Sequence, residues 1–67
     1  MTEYHLTIRR AEGIGYNTTR SLKEARSLAK DLSLAGAEVS IERVTGVWQY
    51  AVDAWVAGKR YPLDYSG

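Results

Sequence analysis

The chain contains no cysteine, a single histidine and almost no excess of charge of either sign: 9 Lys and Arg against 8 Asp and Glu, a net charge of +1. Without cysteine there is neither a disulfide framework nor a thiolate metal site, which fits a reducing compartment. His5 is the sole imidazole. A Ser–His–acid triad would rest on that one strand-end ring, and no His/Asp/Glu spacing has the pattern of a metal site. A near-neutral chain is also unlike a dedicated DNA-coating protein, which is usually far more basic. Electrostatic recognition must therefore come from local patches. No apolar run approaches the ~20 residues that span a bilayer, and MTEYHLTIRR lacks the basic-then-apolar layout of a signal peptide. The expectation is a soluble cytoplasmic protein that is not an enzyme, carries no cofactor and engages no membrane.

What the chain does contain is a hydrophobic fraction of 45% in 67 residues. That is enough for one small α+β domain, residues 1–67, with a thin core. A chain of this size buries only about 60% of its unfolded surface. Ser21–Gly36 organises it. Ser21 and Glu24 have the spacing of a capping box, and Gly36 supplies a helix stop. At about 100° per residue, Leu22, Ala25, Leu28, Ala29, Leu32 and Ala35 form an apolar stripe, with Lys23, Arg26 and Lys30 grouped nearly opposite. The helix is expected to give a sheet its apolar side and to give solvent, or a partner, a row of positive charge.

Around that helix the pattern predicts β-α-β-β with a short fourth strand, the helix packed on one face of a mainly antiparallel sheet. Thr2–Arg10 alternates Tyr4, Leu6 and Ile8 with polar residues, the period of a half-buried strand. Ala11–Arg20 reads as a loop, which would make the first two strands parallel through a right-handed crossover. Gly13-Ile14-Gly15 is no phosphate loop, because a dinucleotide fingerprint needs a third spaced glycine and a P-loop needs Gly-Lys-Ser/Thr. Glu38–Val44 and Val47–Val56 read as a hairpin about Thr45-Gly46. That register sets Arg43 opposite Trp48, Ile41 opposite Tyr50, Val39 opposite Val52 and Glu38 opposite Asp53. Val39, Ile41, Trp48, Tyr50 and Val52 then lie under the helix. An Ala57-Gly58 turn leads to Lys59–Tyr61, ended by Pro62, with Trp55 facing Arg60 and Ala54 facing Tyr61. In the absence of a bulge, Trp55 takes the parity opposite to Trp48 and lies on the open face with His5, Thr7, Arg9, Glu42, Gln49 and Arg60. Leu63–Gly67 reads as a frayed tail from which Leu63 or Tyr65 tucks against the sheet.

These elements offer two binding surfaces. One is the helix stripe Lys23, Arg26 and Lys30, extended by Arg20. The other is the open sheet face with Trp55 and Arg60. Aromatics with arginine on an open sheet stack single-stranded bases, and the same residue types are enriched at protein–protein hot spots. The paired carboxylates Glu38 and Asp53 have no accompanying pocket and read as an ordinary surface contact.

The helix and the strands after it resemble small phage-encoded anti-CRISPR proteins that act on type I-F surveillance complexes. The likeness rests on Ser21-Leu22, Ala25-Arg26, Leu28-Ala29, Val39-x-Ile41-Glu42-x-Val44-x-Gly46-Val47-Trp48 and Gly58-Lys59-Arg60-Tyr61, roughly the last two thirds of the chain. The resemblance implies a compact helix-on-sheet domain that docks on Cas backbone subunits and blocks guide–target pairing. It implies a binding role for Arg26 and for Lys59 and Arg60, whereas Ser27 and Asp31 stand where the family pattern has further basic residues. Three readings stay open: an inhibitor of a host nucleic-acid-handling complex, a direct nucleic-acid-binding module using Trp55 and Arg60, and a homodimer formed through the open sheet face.

Overall fold

The structure is a computed structural model and describes residues 1–63. Its elements are β1 (Thr2–Arg10), β2 (Gly13–Thr19), α1 (Leu22–Leu34), β3 (Glu38–Thr45), β4 (Trp48–Val56) and β5 (Lys59–Pro62). The strands form one sheet in the order β2-β1-β3-β4-β5, and every neighbouring pair is antiparallel. Helix α1 packs on one face of it, so the α+β class with a single helix on a sheet holds.

The segment expected to be a loop is instead a strand. β2 runs back along β1 from Arg10↔Gly13 to Tyr4↔Thr19. Ile14, Tyr16, Thr18 and Thr19 favour extended backbone, but an edge strand with little burial leaves only a faint alternation, and Gly13, Gly15 and Asn17 suggest a turn. The consequence is topological. With β2 inserted, β1 and β3 run antiparallel rather than parallel, paired from Thr2↔Thr45 to Arg9↔Glu38. The sheet is thus two antiparallel units, β1–β2 and β3–β4–β5, joined along the β1–β3 seam.

Helix α1 starts and stops as its sequence predicts. The Ser21 hydroxyl accepts from the Glu24 N–H at 3.4 Å. At the other end the Ala37 N–H donates to Leu32 O and the Gly36 N–H to Ser33 O, the paired bonds of a Schellman ending. The buried line is rotated from the leucine stripe: Ala25, Ala29 and Ser33 are buried, while Leu22, Leu28 and Leu32 flank them half-buried. Small side chains at i, i+4 and i+8 let the helix axis approach the sheet closely, and the leucines close the sides. Below them lie Leu6, Ile8, Val39, Ile41 and Trp55.

The β3–β4 turn is Gly46-Val47, one residue later than expected, with Thr45 opposite Trp48. Gly46 has φ 59, and glycine at the first central position suits a type II′ turn. A bulge then interrupts the ladder: Glu42 pairs with Ala51 but Ile41 pairs with Asp53, which leaves Val52 as the extra residue. A bulge reverses the facing of everything beyond it. Trp55 therefore stands opposite Val39 in the core, and Glu38 pairs with Val56 rather than Asp53.

The β4–β5 turn falls at Ala57-Gly58 with Trp55 opposite Arg60 and Ala54 opposite Tyr61. Because Trp55 faces the helix, Arg60 does too. Leu63 is half-buried and donates its N–H to Val52 O at 2.9 Å; Tyr65 lies outside the described residues. Ala57 has φ 53 and Gly58 φ 80, the left-handed pair that favours Asn-Gly. Alanine there carries strain of about 1–2 kcal/mol. Ala57→Asn is expected to raise stability by about 0.5–1 kcal/mol, a melting temperature a few degrees higher, read by thermal denaturation. At Gly58 an added Cβ would meet Leu34 Cδ2 at 2.5 Å, and its N–H donates to Ser33 Oγ at 2.9 Å. The turn is thereby tied to the helix C-terminus.

Candidate functional site

Strand lengths decide what the helix covers. Thirteen residues of α1 span about 20 Å at 1.5 Å each, whereas the nine residues of β4 reach about 30 Å at 3.3 Å each. The helix C-terminus sits over the β4–β5 turn, so the uncovered end is that of the β3–β4 turn. There the helix-side face continues beyond the start of α1 as an open groove of about 420 Å³, lined by Thr2, Tyr4, Arg43, Thr45, Trp48 and Tyr50. A second hollow of about 160 Å³ adjoins it and reaches Leu22 and Arg26. Among the described residues, none that lines either hollow is acidic.

Cross-strand pairing assembles the groove. Thr2 is opposite Thr45 and Tyr4 opposite Arg43, while Thr45 is opposite Trp48 and Arg43 opposite Tyr50. The threonine hydroxyls lie 3.1 Å apart. The Arg43 guanidinium sits 5.1 Å from the Tyr50 ring centroid, within cation–π range. Trp48 is 64% exposed. The groove thus offers three aromatic side chains, a cation and paired hydroxyls.

The two tryptophans have exchanged their expected places. Trp48 faces the helix side, as its parity requires, but lies beyond the helix and is exposed. Trp55, expected on the open face, is only 8% exposed in the core. The bulge at Val52 corrects Trp55. The longer reach of the hairpin corrects Trp48 and Tyr50.

The basic residues are also redistributed. At about 100° per residue Arg26 lies about 60° from buried Ala29, close enough to the sheet to reach Asp53. Arg26 Nε donates to Asp53 Oδ2 at 2.8 Å, and Arg60 Nε lies 3.0 Å from Oδ1 without hydrogen-bond alignment. Asp53 is completely buried, and its two arginine side chains are 35% and 43% exposed. Arg26 and Arg60 therefore clamp a core carboxylate rather than forming free positive patches. Arg20, Lys23 and Lys30 are exposed. Lys59 lies with its Nζ 5.4 Å from the Tyr61 ring centroid, on the open face.

That open face carries His5, Thr7, Arg9, Glu42 and Gln49 as expected, with His5 Nε2 3.2 Å from Glu3 Oε2. Among the described residues, no three His, Cys, Asp or Glu side chains gather as a metal site, and no helix is long and apolar enough to cross a membrane. The groove escaped the sequence reading because it depends on where the helix stops relative to the strands. The Arg43-x-Thr45 and Trp48-x-Tyr50 alternation around Gly46 was its visible trace. No protein-family model, curated protein or solved structure matches this chain.

Proposed function

We propose that this protein is a small non-catalytic binding protein that docks on a nucleic-acid-handling protein complex through the Trp48–Tyr50–Arg43 groove and blocks binding of target DNA. The observation that carries the reading is Trp48, largely exposed beside a second aromatic and an arginine with no ion-pair partner among the described residues. Trp, Tyr and Arg dominate interface hot spots: the rings remove much area from water at low entropic cost, and the planar guanidinium adds a fixed fork of donors. The likeness to anti-CRISPR proteins of type I-F systems names the first complex to test. With Arg26 and Arg60 engaged by Asp53, the helix contribution reduces to a rim of Arg20, Lys23 and Lys30.

A second reading has its own support. The absence of acidic side chains among the described residues of the groove lining and the Arg43–Tyr50 stack suit bases of a single-stranded nucleic acid. One experiment separates the two. The protein is titrated into a type I-F surveillance complex with labelled target DNA, and in parallel into labelled single- and double-stranded DNA alone at two salt concentrations. The expected result is loss of target binding by the complex, with Trp48→Ala and Arg43→Ala each weakening inhibition at least about 30-fold, the ~2 kcal/mol of a hot spot. Direct single-strand binding that falls steeply with salt and is abolished by Trp48→Ala would replace the first reading by the second. Neither effect would overturn both.

A further inference from the structure

The two edges of the sheet are built differently. β5 is four residues long, Lys59-Arg60-Tyr61-Pro62, and carries two cations and a proline, the devices that stop an edge from recruiting another strand. β2 has none of them. Its seven residues, Gly13–Thr19, include no charge and no proline, and Ile14 and Tyr16 project exposed from it. An edge strand presents a row of backbone N–H and C=O groups without sheet partners. The long edge of this sheet is the less protected one, its Thr18 N–H donating to Asn17 Oδ1 at 2.8 Å.

We infer that β2 pairs antiparallel with β2 of a second copy of this chain, giving a two-fold dimer with a continuous ten-stranded sheet. The sequence around the strand is self-complementary in that arrangement. With the two-fold axis at Tyr16, the strand centre, Gly13 stands opposite Thr19, Ile14 opposite Thr18, Gly15 opposite Asn17, and Tyr16 opposite its own copy. No like charges meet along the strand. The residues just outside it complete the match: Glu12 of each copy comes opposite Arg20 of the other, at both ends. Both side chains belong to exposed residues, and neither has an ion-pair partner among the described residues. Opposite charges set across a strand pair favour it and fix its register.

The axis is perpendicular to the sheet, so both helices lie on one side. Ile14, Tyr16 and Thr18 of both copies meet on the other side, next to Thr7 and Arg9 of β1. Both Trp48 grooves stay free, because they lie at the β3–β4 turn away from this edge. The dimer is independent of the proposed function and is tested without any partner.

The test is mass in solution by sedimentation velocity, from micromolar to near-millimolar protein, with circular dichroism to verify folding of each variant. The expected mass rises with concentration from 7.5 kDa toward twice that value. Tyr16→Lys sets like charges against each other on the axis and is expected to weaken association at least about tenfold. Glu12→Arg and Arg20→Glu each create two like-charge contacts by symmetry and are expected to weaken it about five- to tenfold. The double variant Glu12→Arg/Arg20→Glu reverses both partners and is expected to return within about twofold of the parent. A mass of 7.5 kDa at every concentration would overturn the inference. So would a dimer indifferent to Tyr16→Lys, or a double variant no stronger than the singles.

Discussion

Trp55→Ala is expected to remove about 3–5 kcal/mol of folding stability, the usual cost of deleting a large buried aromatic. At roughly 0.05–0.15 kcal/mol per residue, 67 residues give a total of only about 3–10 kcal/mol. The variant should therefore lose from about a third to all of its stability. Trp48→Ala removes the same atoms from an exposed position and is expected to change stability by no more than about 0.5 kcal/mol. Urea denaturation followed by circular dichroism reads both. A costly Trp48 and a neutral Trp55 would mean that the hairpin carries no bulge. Trp55→Phe is informative as a third variant. The indole Nε1 is buried with no acceptor among the described residues, so phenylalanine keeps most of the apolar contact and deletes the unpaired donor. Its expected cost is well below that of alanine.

The second large effect concerns Asp53, whose carboxylate has no exposure to water and two guanidinium groups for company. Removing both arginines leaves a buried charge uncompensated, which typically costs about 3–5 kcal/mol. Arg26→Ala/Arg60→Ala is therefore expected to approach that loss. Each single variant should cost less than half of it, because the other arginine remains. The converse deletion is milder. Both arginine side chains are more than a third exposed and can turn to water once the acid is gone. In an Asp53→Leu background, removing both arginines is expected to cost less than about 1 kcal/mol. Denaturant midpoints for the four combinations close the cycle. Equal losses with and without Asp53 would show that the arginines act through their aliphatic stems and not through the carboxylate.

Much of the fold was legible from residues whose local chemistry has one good solution. Ser21 and Glu24 fix the helix start, Gly36 fixes its end, and the alternation of Tyr4, Leu6 and Ile8 fixes β1 and its buried face. Ala57-Gly58 set the last turn and its register. β2 stayed hidden because an edge strand buries little on either face, so its sequence is under weak pressure to alternate. The bulge stayed hidden for a different reason: one extra residue at Val52 costs no recognisable motif, yet it reverses the facing of Asp53 and Trp55. The binding residues inherited both effects. Arg26 and Arg60 read as free cations until Asp53 is seen to turn inward between them. Trp48 read as core until the helix is seen to stop short of it.

The strand order also has a kinetic consequence. Hairpins β1–β2, β3–β4 and β4–β5 close over turns of about two residues, and such hairpins form in microseconds. The seam between β1 and β3 joins Thr2 to Thr45 and Leu6 to Ile41, so it must close a much longer stretch of chain. Loop-closure entropy and the share of distant contacts set the barrier in small domains. Pairing of the amino-terminal hairpin with the carboxy-terminal meander is thus the step expected to limit how fast this chain folds. Truncating Leu6 or Ile41 is expected to slow refolding in stopped-flow experiments; if it chiefly accelerates unfolding instead, the seam forms after the barrier.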